Sequence, residues 1–248
     1  MQQKPLWLID LGTQPYRPVW DFQRKLQRMR IEQKIPDTLI FVEHCPVYTI
    51  GKNGSEFHVI AQEHFLKKHN IEVVEVDRGG DVTYHGPGQL VGYPIFDLHQ
   101  HRKSVSYYMR QLEDVFIESL QHWQLSGRRN EGYTGVWIDD EKIVALGVRI
   151  SRWVTMHGFA FNVNTNLNHF SGIVPCGIFH MGVTSLEKQV GHPVEMADAK
   201  QKVLAAIQHV FGFNELLRKN VDPDQMEKAF DALNIDGEKK MTYQENEI

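Results

Sequence analysis

The chain has 248 residues, 42% of them hydrophobic and 23% charged, with a formal net charge of −4. This composition describes a folded globular chain of one large or two small domains and excludes a disordered one. The acidic balance gives no general attraction for nucleic acid, and no apolar run reaches membrane-spanning length. Residues 6–11 spell a short first strand, and residues 16–34 follow a helical period with Trp20, Leu26 and Ile31 inward, ended by Pro36. Residues 38–50 read as one strand bent at Pro46 and closed by Gly51, and residues 61–70 as a short helix.

The stretch 71–98 is the most unusual in the chain. A strand-like run, residues 71–76, meets Arg78-Gly79-Gly80. A polar patch with Asp81, Thr83, Tyr84 and His85 follows, then Gly86-Pro87-Gly88-Gln89 and a second apolar run, residues 90–98. It reads either as a glycine-rich hairpin with an irregular loop or as a substrate cradle whose backbone N–H groups are exposed by glycine. Residues 104–123 give the clearest helix, with Val105, Tyr108, Leu112, Val115, Phe116, Ser119 and Trp123 on one face and Ser104 as its cap. Residues 133–138 and 142–150 flank a turn at 139–141, and residues 155–163 add another strand. The last strong helix spans 194–211, with Met196, Val203, Ile207 and Val210 on one face. Strands in groups broken by helices predict an α+β fold. Residues 1–213 form the folded unit, and 214–248 a charged tail, helical over 222–233 and disordered at its end.

Thirteen histidines are scattered, without HExxH or paired Cys-x-x-Cys spacing, so no metal site is expected. The start of the chain lacks the apolar core and cleavage site of a signal peptide. Cys45 and Cys176 therefore read as reduced thiols of a cytoplasmic protein. Pro175 and Gly177 bracket Cys176 at a turn, which can expose its sulfur, although a lone cysteine is more often a small core residue. Lys142 opens the strand after the 139–141 turn, where spacing alone favours a solvated lysine.

The run Arg78-Gly79-Gly80-x-x-Thr83-Tyr84-His85-Gly86-Pro87-Gly88-Gln89-Leu90-Val91-x-Tyr93-Pro94 resembles the signature of the bacterial lipoyl(octanoyl) transferases, and weaker similarity covers residues 6–211. The resemblance implies the fold of the biotin and lipoate protein ligases, a mixed β-sheet backed by helices. It implies transfer of an octanoyl group from acyl carrier protein to a lysine of lipoyl domains of 2-oxoacid dehydrogenase complexes or the glycine cleavage H protein. Neither metal nor cofactor is implied, and neither nucleic acid nor membrane is a partner. It makes Cys176, in Pro175-Cys176-Gly177-Ile178, the nucleophile, and Lys142 the group that lowers its pKa. Substrate binding is carried by Arg78, Gly79, Gly80, Asp81, Val82, Thr83, Tyr84 and His85, by Ala145, Leu146 and Gly147, and by Gly158, Phe159 and Ala160. His44 lines the site, and Cys45 is not required. Phe179-His180-Met181-Gly182 departs from the more polar segment expected after Cys-Gly-Ile. Three rival readings remain: an ATP-dependent ligase of the same fold using Arg78-Gly79-Gly80 for phosphates, a non-catalytic carrier-binding protein, and a hydrolase releasing octanoate. Arg128, Arg129, Arg149 and Arg152 are candidates for a local surface that docks an acidic carrier.

Overall fold

The computed structural model describes residues 4–174, 182–222 and Met226. Strand β1 (Pro5–Gln14) sends Leu6 and Leu8 to one face of the sheet and Trp7, Ile9 and Leu11 to the other, so it is buried on both sides. Helix α1 (Tyr16–Ile31) then crosses back, and β2 (Asp37–His44) lies parallel to β1. The buried stripe of α1 is Tyr16, Val19, Phe22, Gln23, Leu26, Gln27 and Arg30. Trp20 and Ile31, expected inward, are only half-buried. Polar members of the stripe hide it in the sequence. Gln27 Nε2 donates to the Val154 carbonyl at 2.9 Å, and Arg30 pairs with Asp37 at 2.8 Å. These partners offset the desolvation of Gln27 and of the Arg30–Asp37 pair.

The run 38–50 is two strands rather than one. After Pro46 the chain enters β3 (Val47–Ile50), which belongs to a second, three-stranded sheet. There β3 is flanked by β4 (Glu72–Glu75), parallel to it, and β5 (Val82–His85), antiparallel to it. A short helix α2 (Glu63–Lys68) precedes β4. The hairpin reading of the glycine-rich stretch therefore fails, because residues 71–76 enter the three-stranded sheet and residues 90–98 the main one, so the two runs do not pair.

From Gln89 the chain returns to the main sheet as β6 (Gln89–Ile95), buried along its whole length. Helix α3 (Val105–Gln121) follows, with Ser104 Oγ accepting the Tyr107 N–H at 3.3 Å as predicted, although Val105 is exposed and Trp123 lies beyond the helix. Then come β7 (Arg128–Asn130), β8 (Tyr133–Ile138), β9 (Glu141–Ser151) and β10 (Val154–Asn162). The β8–β9 turn is the pair Asp139-Asp140, since Ile138 faces Glu141. Strand β11 (Gly182–Val183), helices α4 (Leu186–Val190) and α5 (Met196–Phe211) and strand β12 (Glu215–Arg218) complete the described chain. The main sheet runs β12-β1-β2-β6-β10-β9-β8-β7, with β11 beside β9, so its edge strand β12 lies beyond Phe213. The helix expected over 222–233 falls outside the described residues except at Asp222 and Met226.

Helices α3 and α5 cover one face of the main sheet, packing Tyr108, Phe116, Val203 and Ile207 against Phe41, Phe159 and Phe161. Helix α1 covers part of the other, with Val19, Phe22 and Leu26 against Ile40, Val91 and Met156. The mixed, helix-backed α+β architecture predicted from the sequence is what the chain adopts. Among the described residues no helix is long and apolar enough to cross a membrane.

Candidate active site

A cavity of about 600 Å³ lies between the main sheet and the three-stranded sheet, on the face that α1 leaves uncovered. Its position follows from strand alternation. Along β9, Val144, Leu146, Val148 and Ile150 belong to the core under α3 and α5, so Ala145 and Gly147 turn to the opposite face and line the cavity. By that count Lys142 should share the core side with Val144. It does not, because the register slips between Val136↔Val144 and Trp137↔Lys142, leaving one extra residue on β9. This bulge turns Lys142 into the cavity beside Trp137, whose ring centroid lies 4.8 Å from Nζ. Gly135 makes room beneath, since a Cβ there would sit 2.6 Å from the Val144 carbonyl and 3.4 Å from Lys142 Cδ, and its φ is +134°.

Cys176 lies outside the described residues. The described residues on either side of it are Val174 and Gly182, and Ile173, Gly182 and Val183 all line the cavity. Val183 then pairs with Lys142 across the β11–β9 ladder, and the Thr184 N–H donates to the Lys142 carbonyl at 3.0 Å.

The glycine-rich segment forms the opposite wall. Gly80, Asp81, Val82, Thr83 and His85 line the cavity, as do Arg78, Leu146, Gly158, Phe159 and Ala160. Arg78 is buried, and its guanidinium donates to Thr49 Oγ1 and the Thr49 carbonyl and to the Gly79 carbonyl. It braces the loop against β3, and burial draws its pKa down. Gly147 permits this close packing, because a Cβ there would lie 3.0 Å from the Gly79 carbonyl.

Three predicted residues do not form the wall. The Gly79 N–H donates to the Val148 carbonyl at 2.9 Å, fastening the loop to β9. Tyr84 points behind β5, with its hydroxyl 2.7 Å from His169 Nδ1. His44 is fully buried one layer deeper. Its Nδ1 lies 3.0 Å from the Gln14 carbonyl, which can only accept, so Nδ1 carries the hydrogen and Nε2 accepts from the Tyr93 hydroxyl at 2.7 Å. Tyr93, hydrogen-bonded in turn to Tyr16, brings this network to the cavity floor.

The floor is uncharged apart from Arg78. Burial pushes the His44 pKa down to about 4. His85 is held well below the ordinary range by burial, with His44 and Arg78 adding to the effect. Gln89 Nε2 donates to the Tyr84 carbonyl and to Asn162 Oδ1, so its Oε1 accepts from His85 Nδ1 at 2.8 Å. Burial raises the phenols of Tyr16 and Tyr93. His157 closes the remaining side, 2.8 Å from Asp77 through Nε2. Burial opposes the Asp77 charge, yet His157 and Arg149 hold its pKa at about 2. Neutral rings over an apolar slot suit an uncharged chain.

Sequence reasoning missed Tyr16, Gln89, Tyr93, Trp137 and His157. Gln89 and Tyr93 stand inside the quoted signature, and His157 precedes Gly158; Tyr16 and Trp137 carry no local signal. Of the docking candidates, Arg128 pairs with Asp140, and Arg129 with Glu113 and Asp114. Arg149 and Arg152 join Arg24 and Arg28 in a second groove on the far side of Asp77.

Residues 15–208 match the family of the lipoyl protein ligase A/B catalytic domain. An octanoyltransferase of Caldicellulosiruptor bescii is 48% identical over 227 residues, covering 91% of this chain and 97% of that protein. One from Desulforamulus reducens is 44% identical over 209 residues, covering 84% and 92%. Among solved structures, lipoate-protein ligase A bound with ATP has a TM-score of 0.63 at 15% identity, covering 93% of this chain and 95% of that one. The structure of a bi-partite lipoate protein ligase from Thermoplasma acidophilum has a TM-score of 0.65 at 16% identity, covering 93% of each chain. The two structures share the fold; the two sequence relatives and the domain match establish that the chain belongs to the octanoyltransferase family and is an acyltransferase enzyme.

Proposed function

We propose that this enzyme moves an octanoyl group from acyl carrier protein to the ε-amine of a lysine on a lipoyl domain or glycine cleavage H protein, in the cytoplasm, through a thioester on Cys176. The observation that carries the reading is the bulge in β9, which turns Lys142 out of the core and into the cavity, beside the strand that follows Cys176. A thiol of pKa about 8.5 needs a cation beside it to be a thiolate at neutral pH. The Lys142 ammonium supplies that charge.

The two half-reactions balance. The Cys176 thiolate adds to the thioester carbon and the carbonyl electron pair moves to oxygen. Collapse breaks the bond to the carrier's sulfur, which leaves with a proton from the Lys142 ammonium. The acceptor lysine, arriving as a neutral amine, then attacks the acyl-enzyme. Its nitrogen loses a proton to the Lys142 amine, the C–S bond breaks, and thiolate and ammonium are restored. No metal or nucleotide enters either step. The octanoyl chain occupies the slot along Ala145, Gly147, Gly158 and Ala160. Each buried CH₂ there contributes about 0.8 kcal/mol, so slot depth selects chain length.

An ATP-dependent ligase would need the Arg78-Gly79-Gly80 segment for phosphates, but the Arg78 guanidinium is engaged with Thr49 and Gly79. Intact mass after mixing with octanoyl carrier protein tests the proposal. One octanoyl adduct is expected on the wild type and on Cys45→Ser, and none on Cys176→Ser. A Cys176→Ser enzyme that transfers normally sinks the mechanism.

A further inference from the structure

We propose that His58 is a positioning residue for acylation, fixing the chain that leads into Cys176 against the glycine-rich substrate loop. The proposal rests on the octanoyl-transfer reading above. Residues 55–61 form a strap joining Asp81 to residues 172–174, and His58 uses its side chain and its backbone in two directions. Its Nδ1 lies 2.7 Å from Asp81 Oδ1. A carboxylate oxygen accepts, so Nδ1 carries the hydrogen. The same Oδ1 accepts the Val82 N–H at 2.6 Å, so one oxygen fixes both the strap and the first residue of β5. In the other direction, the His58 carbonyl accepts the Val174 N–H at 2.8 Å, two residues ahead of Cys176. Val59 bridges Ile173, and the N–H groups of Ile60 and Ala61 both donate to the Gly172 carbonyl at 3.0 Å.

Asp81 and Ile173 line the cavity, whereas His58 does not. His58 therefore acts through its neighbours, by setting the separation between the substrate loop and the approach to the thiol. Phe57 is 90% exposed and Ile60 56%, so the hold at this end of the strap is made by hydrogen bonds more than by burial. Asp81 is buried, with a side chain 3% exposed, so losing His58 removes one of the donors to a desolvated carboxylate oxygen. A displacement of about 1 Å in either wall is enough to lower the rate on the order of a hundredfold, because the attack geometry is narrow.

The test compares three variants in a Cys45→Ser background, since Cys45 is an exposed free thiol. The rate of octanoyl adduct formation from octanoyl carrier protein is read by mass, and the rate of Cys176 alkylation by iodoacetamide is read in parallel. His58→Ala should slow acylation roughly tenfold to a hundredfold with alkylation little changed, because a small electrophile does not need the substrate loop. His58→Asn places an amide N–H where Nδ1 stood and should restore acylation, whereas His58→Gln reaches the Nε2 position and should not. Acylation at the wild-type rate in His58→Ala overturns the proposal, as does rescue by Gln equal to rescue by Asn. So does alkylation that falls in step with acylation. If His58→Ala fails to fold, the Asn and Gln pair decides alone. A parent enzyme that forms no octanoyl adduct overturns the octanoyl-transfer reading itself, and this role with it.

Discussion

Lys142 carries two duties in the proposed cycle, and they separate chemically. Lowering the thiol pKa needs only a positive charge, whereas passing a proton from donor to acceptor needs a group that can lose one. The Trp137 ring that faces Nζ at 4.8 Å holds the cation without neutralising it. Lys142→Arg keeps the charge but cannot give up its proton, because guanidinium stays protonated across the working range. Thiolate formation, followed as alkylation rate against pH, should survive better in Lys142→Arg than in Lys142→Met. Octanoyl transfer should fall in both by about 10²–10⁴-fold, the usual value of a positioned acid–base. A Lys142→Met enzyme with unchanged alkylation and transfer would reduce Lys142 to a lining residue. His85, the nearer of the two predicted histidines to the cavity, would then be the next partner to test.

Four elements converge at and behind the cavity floor: the start of α1 brings Tyr16, the end of β2 His44, the end of β5 His85, and β6 Tyr93. Packing them together leaves the His44 ring neutral, with a pKa of about 4 against 6.5 in the unfolded chain. Above pH 6.5 the ring is uncharged in both states and contributes nothing to the pH dependence. As pH falls below 6.5 the unfolded chain binds a proton that the folded chain refuses, so stability drops until about pH 4. For this fully buried ring the loss is about 3 kcal/mol. His85, depressed in the same direction, adds to it. His44→Gln still accepts from Tyr93 but never charges. Its urea-unfolding free energy should fall less steeply than that of the wild type between pH 6.5 and 4; equal slopes would remove His44 from the account. The elements themselves were largely legible, because α3, α5, β6 and the β8–β9 hairpin follow their hydrophobic periods. Three features were not, each for a physical reason. The α1 stripe includes Gln23, Gln27 and Arg30, whose burial depends on partners distant in sequence or on another element. Strand β3 sits between β4 and β5, a pairing no local pattern records. The β9 bulge reverses the face of Lys142, and a two-residue alternation counted along the sequence places that lysine in the core.

Among the described residues a cavity lies between the two sheets, and its walls come from distant stretches of chain. The glycine-rich stretch stood out in the sequence and lines the cavity, yet the opposite wall on β9 and β10 and the floor from α1 exist only after folding. The described chain leaves the small-sheet side at Val174 and re-enters the main sheet at Gly182, beside Lys142. In the proposed cycle the acyl donor and the acceptor lysine use the same thiol and the same Lys142 in turn. A thioester on Cys176 would let the carrier leave before the acceptor docks, which makes the proposed cycle ping-pong. Initial rates at several fixed acceptor concentrations should give parallel double-reciprocal lines against octanoyl carrier protein. The discharged carrier should inhibit competitively against the acceptor, because both compete for the acyl-enzyme. Raising salt should weaken that competition as it screens any charged contact the carrier makes with this acidic chain. Intersecting lines, or inhibition by the discharged carrier that no acceptor concentration relieves, would mean that the two proteins bind at separate surfaces. The groove of Arg24, Arg28, Arg149 and Arg152 beyond Asp77 would then be the first place to seek the carrier, by charge reversal at Arg152 and Arg28.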